Sequence, residues 1–132
     1  MKPFSSPTQA LRLASIVTLL NVLTQSGFAT AGLVNPRLLL PAADAPTQAS
    51  LLFALYAAAR SLPLALVVMA AVYRRSAPAL IVLGILAGVI QLADAGIGVV
   101  QGDPGKIFGP LILAALQAYA TFNLARAGRV AA

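Results

Sequence analysis

Arg60 and Asp94 each stand alone in apolar sequence, one within Ala57-Ala58-Ala59-Arg60-Ser61-Leu62-Pro63 and the other within Gln91-Leu92-Ala93-Asp94-Ala95-Gly96. A guanidinium in such a setting anchors an anion, and a carboxylate there moves a proton or neutralises a cation. Three carboxamides accompany them. Gln91 lies nearly one helical turn before Asp94, and Asn21 and Gln25 are four residues apart, on one face of a helix. Residue types exclude much else: the chain has no His and no Cys, and its three acids are all Asp. It therefore holds no imidazole base, thiol nucleophile, disulfide or His/Cys metal site. No catalytic residue, cofactor or metal ligand is expected.

The elements that position these side chains follow from composition. Hydrophobic residues make up 60% of the 132 residues and charged residues only 9%, against about 45 to 50% and 25% in soluble chains. Stretches of about 20 apolar residues, enough to cross about 30 Å of hydrocarbon, fall at approximately 11 to 33, 48 to 72, 78 to 100 and 107 to 125. The expected fold is all-α, a single membrane domain over residues 1 to 132 in which four transmembrane helices run up and down. Arg74-Arg75-Ser76-Ala77-Pro78 and Gln101-Gly102-Asp103-Pro104-Gly105-Lys106 make tight turns, and residues 34 to 47 form the longest loop. Ala29-Thr30-Ala31 also fits a signal-peptide cleavage pattern, but the long polar lead-in through Arg12 and the amides Asn21 and Gln25 favour a retained helix.

Charge supplies the orientation. Lys2, Arg12, Arg74, Arg75, Arg126 and Arg129 collect at one end, while Arg37 and Lys106 share the other with Asp44 and Asp103. This asymmetry predicts both termini in the cytoplasm. The net charge of +6 is then a topology signal, and nucleic acid is not an expected partner.

Membrane helices associate through small residues and polar side chains. Gly84, Gly88, Gln91, Ala95, Gly98 and Gly102 form such a stripe on the third span, and Gly84, Gly88 and Gly98 are expected at helix contacts within the chain. Matching stripes are Ala14, Thr18, Asn21 and Gln25 on the first span, Ala57, Arg60 and Leu64 on the second, and Pro110, Ala114, Gln117 and Thr121 on the fourth. An ionised group in mid-span costs about 2.5 to 3.5 kcal/mol, so Arg60 needs a partner. In a hairpin turning near residues 75 to 77, Arg60 and Asp94 fall at similar depth, with Gln91 and Gln25 nearby. The expected site is a buried polar cluster of Arg60, Asp94, Gln91, Gln25 and Asn21. Pro63 adjoins it: lacking an N–H, it releases the carbonyl of Ala59 and favours a kink.

The segment Ala57-Ala58-Ala59-Arg60-Ser61-Leu62-Pro63-Leu64-Ala65, the Arg74-Arg75 pair, Leu86 to Asp94 and the Gly-Asp-Pro-Gly-Lys turn resemble the small DoxX-like four-helix membrane proteins. The resemblance covers roughly residues 50 to 125; a glycine-rich first-helix pattern of that group is not evident here. It implies a four-helix bundle, singles out Arg60 and Asp94, and supplies no activity.

Three function classes follow. An accessory or scaffold bundle, with the Arg60 and Asp94 pair fixing helix register, suits the short loops and the missing catalytic types. A binder or transporter would use Arg60 to hold a small anionic or lipidic ligand in a polar pocket. An intramembrane enzyme would rest on Asp94 alone. The expected setting is a bacterial cytoplasmic membrane, the expected partners the bilayer and either a second copy or a subunit of a membrane complex.

Overall fold

The computed structural model describes residues 6 to 40 and 43 to 130. Lys2, one of the residues used for orientation, lies outside the described residues. Four long helices, α1 (Pro7–Val34), α2 (Gln48–Tyr73), α3 (Ala77–Gln101) and α4 (Pro104–Val130), are joined by a short 3-10 turn at Pro36–Leu38 and two tight turns. Each is long and apolar enough to cross a membrane. Ala10 of α1, Ala71 of α2, Leu80 of α3 and Leu124 of α4 pack in one cluster. The helices therefore alternate in direction, and both ends of the described chain lie at the same end of the bundle.

Local chemistry sets the helix ends. α1 begins at Pro7, earlier than the apolar run, because proline suits the first helical turn and Ser6 Oγ accepts from the Gln9 amide at 3.3 Å. α2 opens on a capping box in which Thr47 Oγ1 accepts from the Ser50 amide and Ser50 Oγ accepts from the Thr47 amide. α3 closes on Gly102, at a φ of 64° that favours glycine. Asp103 then starts α4, its Oδ1 accepting from the amides of Gly105 at 3.0 Å and Lys106 at 3.3 Å. Lys106 ties this turn to the long loop: its Nζ donates to the Leu39 carbonyl at 3.2 Å and stands 3.5 Å from Asp103 Oδ2.

The packing is uneven. α3 and α4 lie closest, α1 packs against both and against α2, and α2 meets α3 sparingly and does not approach α4. Glycine explains the tight pair. A Cβ on Gly98 would collide with the Lys106 carbonyl and come within 2.8 Å of the Ile107 nitrogen, and one on Gly84 would lie 2.7 Å from Gln117 Nε2. Gly88 also faces Gln117, at an ordinary 3.6 Å. These glycines are thus used within the chain.

α2 departs from expectation. Ala57 and Arg60, expected on its inner stripe, are exposed, and the helix buries Ala58, Ala65, Val68 and Ala71 instead. Its alanine face lets it lie close against α1, while the polar interior is already filled by α1, α3 and α4. The helix runs unbroken through Pro63, which is exposed.

Candidate functional site

Three of the five expected polar residues meet. Asn21 sits at the centre: its Oδ1 accepts from Gln91 Nε2 at 2.6 Å and from Gln25 Nε2 at 3.0 Å, while its Nδ2 donates to Gln117 Oε1 at 3.3 Å. Gln117 carries the network onward, donating through Nε2 to Thr18 Oγ1 at 2.9 Å and Thr121 Oγ1 at 3.2 Å. Asn21, Gln91, Gln117, Thr18 and Thr121 are buried and Gln25 is half-buried. One chain of hydrogen bonds therefore joins α1, α3 and α4 inside the membrane-spanning region.

Local sequence builds each position. Thr18, Asn21 and Gln25 recur every three or four residues along α1, as Gln117 and Thr121 do on α4, so each helix aims its polar groups the same way. Gly84 leaves the room that the Gln117 amide fills. Gln117 has no unused capacity of note: both N–H groups donate and its oxygen accepts. Amides and hydroxyls neither ionise near neutral pH nor act unaided as nucleophiles. The network ties α1, α3 and α4 together through five hydrogen bonds among its own members.

Arg60 and Asp94 stand apart from it. The expected ion pair between them is not formed; Arg60 is exposed in mid-helix and Asp94 is half-buried. Among the described residues the ion pair is Asp103 with Lys106, at the loop end. The depth arithmetic fixes how far along each helix a residue lies but not how closely the helices approach, and α2 leans on α1 rather than closing on α3. Gln117, expected only as part of a packing stripe, makes three of the network's five hydrogen bonds. The depth rule used for the α2/α3 turn, applied to the turn at Gly102 and Asp103, sets Gln117 level with Gly88, which it faces, and about 4.5 Å from the level of Gln91, within reach of a long amide side chain.

Ser61 adds a second polar feature on α2. Its backbone carbonyl accepts from Ser26 Oγ at 3.2 Å, linking α2 to α1, while its own hydroxyl is buried without a partner. An unsatisfied buried hydroxyl is destabilising by about 1 to 3 kcal/mol. Ser61→Ala is therefore expected to raise stability by about 1 kcal/mol, read as a higher melting temperature in detergent; a lower one would show that the hydroxyl is used.

No group of three or more potential metal ligands occurs among the described residues. A shallow apolar groove of about 330 Å³ lies at the terminal end, lined by Pro7, Leu11, Pro78, Ile81 and Leu124 among others, and it shares no residue with the amide network. Comparison with known proteins gives no family model, no curated protein and no solved structure that matches the chain.

Proposed function

We propose that this chain is an accessory bundle that associates laterally with another membrane protein component, with α2 presenting Arg60 as the docking group. The observation that carries this reading is an exposed, unpaired arginine at mid-span. About 12 residues, or about 18 Å, separate it from the start of α2, so at the centre of a hydrocarbon core about 30 Å thick it is too deep for ordinary snorkelling. A closed interior with no acid, base or nucleophile in it supports a binding role over a catalytic one. The DoxX-like resemblance belongs to the same proposal, since it too singles out Arg60 and Asp94.

The setting proposed is a bacterial cytoplasmic membrane with the termini inside. Arg12, Arg74, Arg75, Arg126 and Arg129 gather at the terminal end, and the other end mixes Arg37 and Lys106 with Asp44 and Asp103.

Arg60→Leu removes an insertion penalty of about 2.5 to 3.5 kcal/mol, so the variant should accumulate normally yet lose its co-migration with larger membrane assemblies on native gels, by tenfold or more. If deleting the whole protein leaves every membrane complex migrating unchanged, the accessory reading fails.

A further inference from the structure

The two unpaired charges lie on faces that point toward the same opening. Leu64 of α2 and Leu83 of α3 belong to one apolar cluster with Val68, which marks where these helices do meet. Arg60 lies one turn beyond Leu64 on α2, and Asp94 lies eleven residues, or three turns, beyond Leu83 on α3. Each charge therefore continues the face by which its helix meets the other. The helices part before they reach these positions: α2 is held by α1 through Ser26 and Ser61, and α3 by α1 and α4 through Gln91 and Gly98. A face is left with a cation on one side and an anion on the other, both inside the membrane-spanning region.

Depth matches as well. From the turn between α2 and α3, Arg60 stands about 20 Å along α2 and Asp94 about 26 Å along α3. Side chains lean toward the N-terminus of their helix. Since α2 and α3 are antiparallel, the Arg60 stem leans away from the turn and the Asp94 carboxylate leans back toward it, which narrows the difference.

We infer that this face is completed by a second copy of the chain, related by a two-fold axis along the membrane normal, with Arg60 of each copy paired to Asp94 of the other. Such an axis preserves depth and makes the contact self-complementary, so a single face satisfies all four charges. Lipid phosphate is the competing counter-ion, and it lies beyond the hydrocarbon edge, more than about 15 Å from the bilayer centre, farther than one side chain spans; the carboxylate of a second copy lies within about 6 Å of the Arg60 level, within reach of the guanidinium stem. The inference rests on the lateral-docking role of Arg60 proposed above: it names the chain that Arg60 engages, and the resulting pair is the unit that joins a larger assembly.

The test measures self-association of two differently labelled full-length chains by energy transfer, in phosphatidylcholine vesicles with and without phosphatidylglycerol. Wild-type chains are expected to pair in both, and Arg60→Gln and Asp94→Asn, which add no new charge, to weaken pairing at least tenfold. Arg60→Asp alone and Asp94→Arg alone place like charges across the interface and should not pair, but a mixture of the two single variants restores both ion pairs between unlike chains and should associate. Recovery in that mixture is the deciding result, because a pair formed within one chain would be rescued only with both substitutions on the same chain. The inference is overturned by wild-type chains that stay monomeric at every protein-to-lipid ratio, by pairing that survives Arg60→Gln and Asp94→Asn, by a mixture that fails to recover, or by pairing that requires the anionic lipid. If self-association fails while Arg60→Leu still abolishes co-migration with a larger complex, lateral docking stands and only the identity of the partner falls; if neither depends on Arg60, both fall.

Discussion

Gly98→Ala is expected to open the α3/α4 hairpin and destabilise the protein by about 2 kcal/mol or more, within the range for forced overpacking. The added Cβ would collide with the carbonyl of Lys106 and crowd the Ile107 nitrogen. Both neighbours are backbone within the first turns of α4, so no rotamer change relieves the overlap. The helices must separate at the turn, and the separation also pulls at Lys106, which holds the Leu39 carbonyl. Equilibrium unfolding in mixed micelles gives the number, with two internal controls. Gly96→Ala meets nothing within 4 Å and Gly88→Ala meets only ordinary contact at 3.6 Å, so both should stay near wild type. Should Gly98→Ala match Gly96→Ala, the close approach of α3 to α4 is not what holds the bundle together.

The second large effect is expected at Asn21. Asn21→Leu removes three hydrogen bonds together, those to Gln91, Gln25 and Gln117. The interhelical bonds to Gln91 and Gln117 average about 0.6 kcal/mol each in membranes, and the bond to Gln25 within α1 adds about 0.2 to 0.5 kcal/mol, which gives about 1.5 kcal/mol for the three. Gln91 and Gln117, buried at 3% and 1% exposure, then lose partners where no water replaces them. A buried amide left unsatisfied adds about 1 to 3 kcal/mol, so the total is expected at about 2.5 to 4.5 kcal/mol. Gln25→Leu, which removes one peripheral bond and strands no buried donor, should cost under about 1 kcal/mol. Comparable losses from the two substitutions would show that Asn21 is not the hub. Arg60→Leu in the same assay should not destabilise the isolated chain, since Arg60 makes no internal ion pair.

The contrast between α2 and the other helices explains what the sequence could reveal. On α1, α3 and α4 the inner face is written in residues that differ sharply from their surroundings: amides, threonines and glycines at spacings of three and four. Those faces could be read directly. On α2 the consecutive alanines Ala57, Ala58 and Ala59 are nearly equivalent in size and polarity, so nothing but Arg60 breaks the degeneracy, and the charge draws the assignment one residue away from the face that Ala58 and Ala65 bury. The ion pair between Arg60 and Asp94 failed for a related reason. Counting residues from a turn fixes depth, but whether two helices joined by a short turn also close on each other depends on competing neighbours. Here α1 competes for α2 through Ser26 and Ser61, and α4 competes for α3 through its glycines.

The amide lock also carries a consequence for biosynthesis. Asn21 and its partner Gln117 are 96 residues apart, and Gln91 arrives 70 residues after Asn21. At synthesis rates of about 5 to 20 residues per second, α1 must wait about 5 to 20 s between its own emergence and that of Gln117. Until Gln91 emerges the polar edge of α1 has none of its final interhelical amide partners, and until Gln117 emerges it has only one of the two. α1 should therefore linger at the insertion machinery until α4 emerges and supplies Gln117, which releases it into the bilayer.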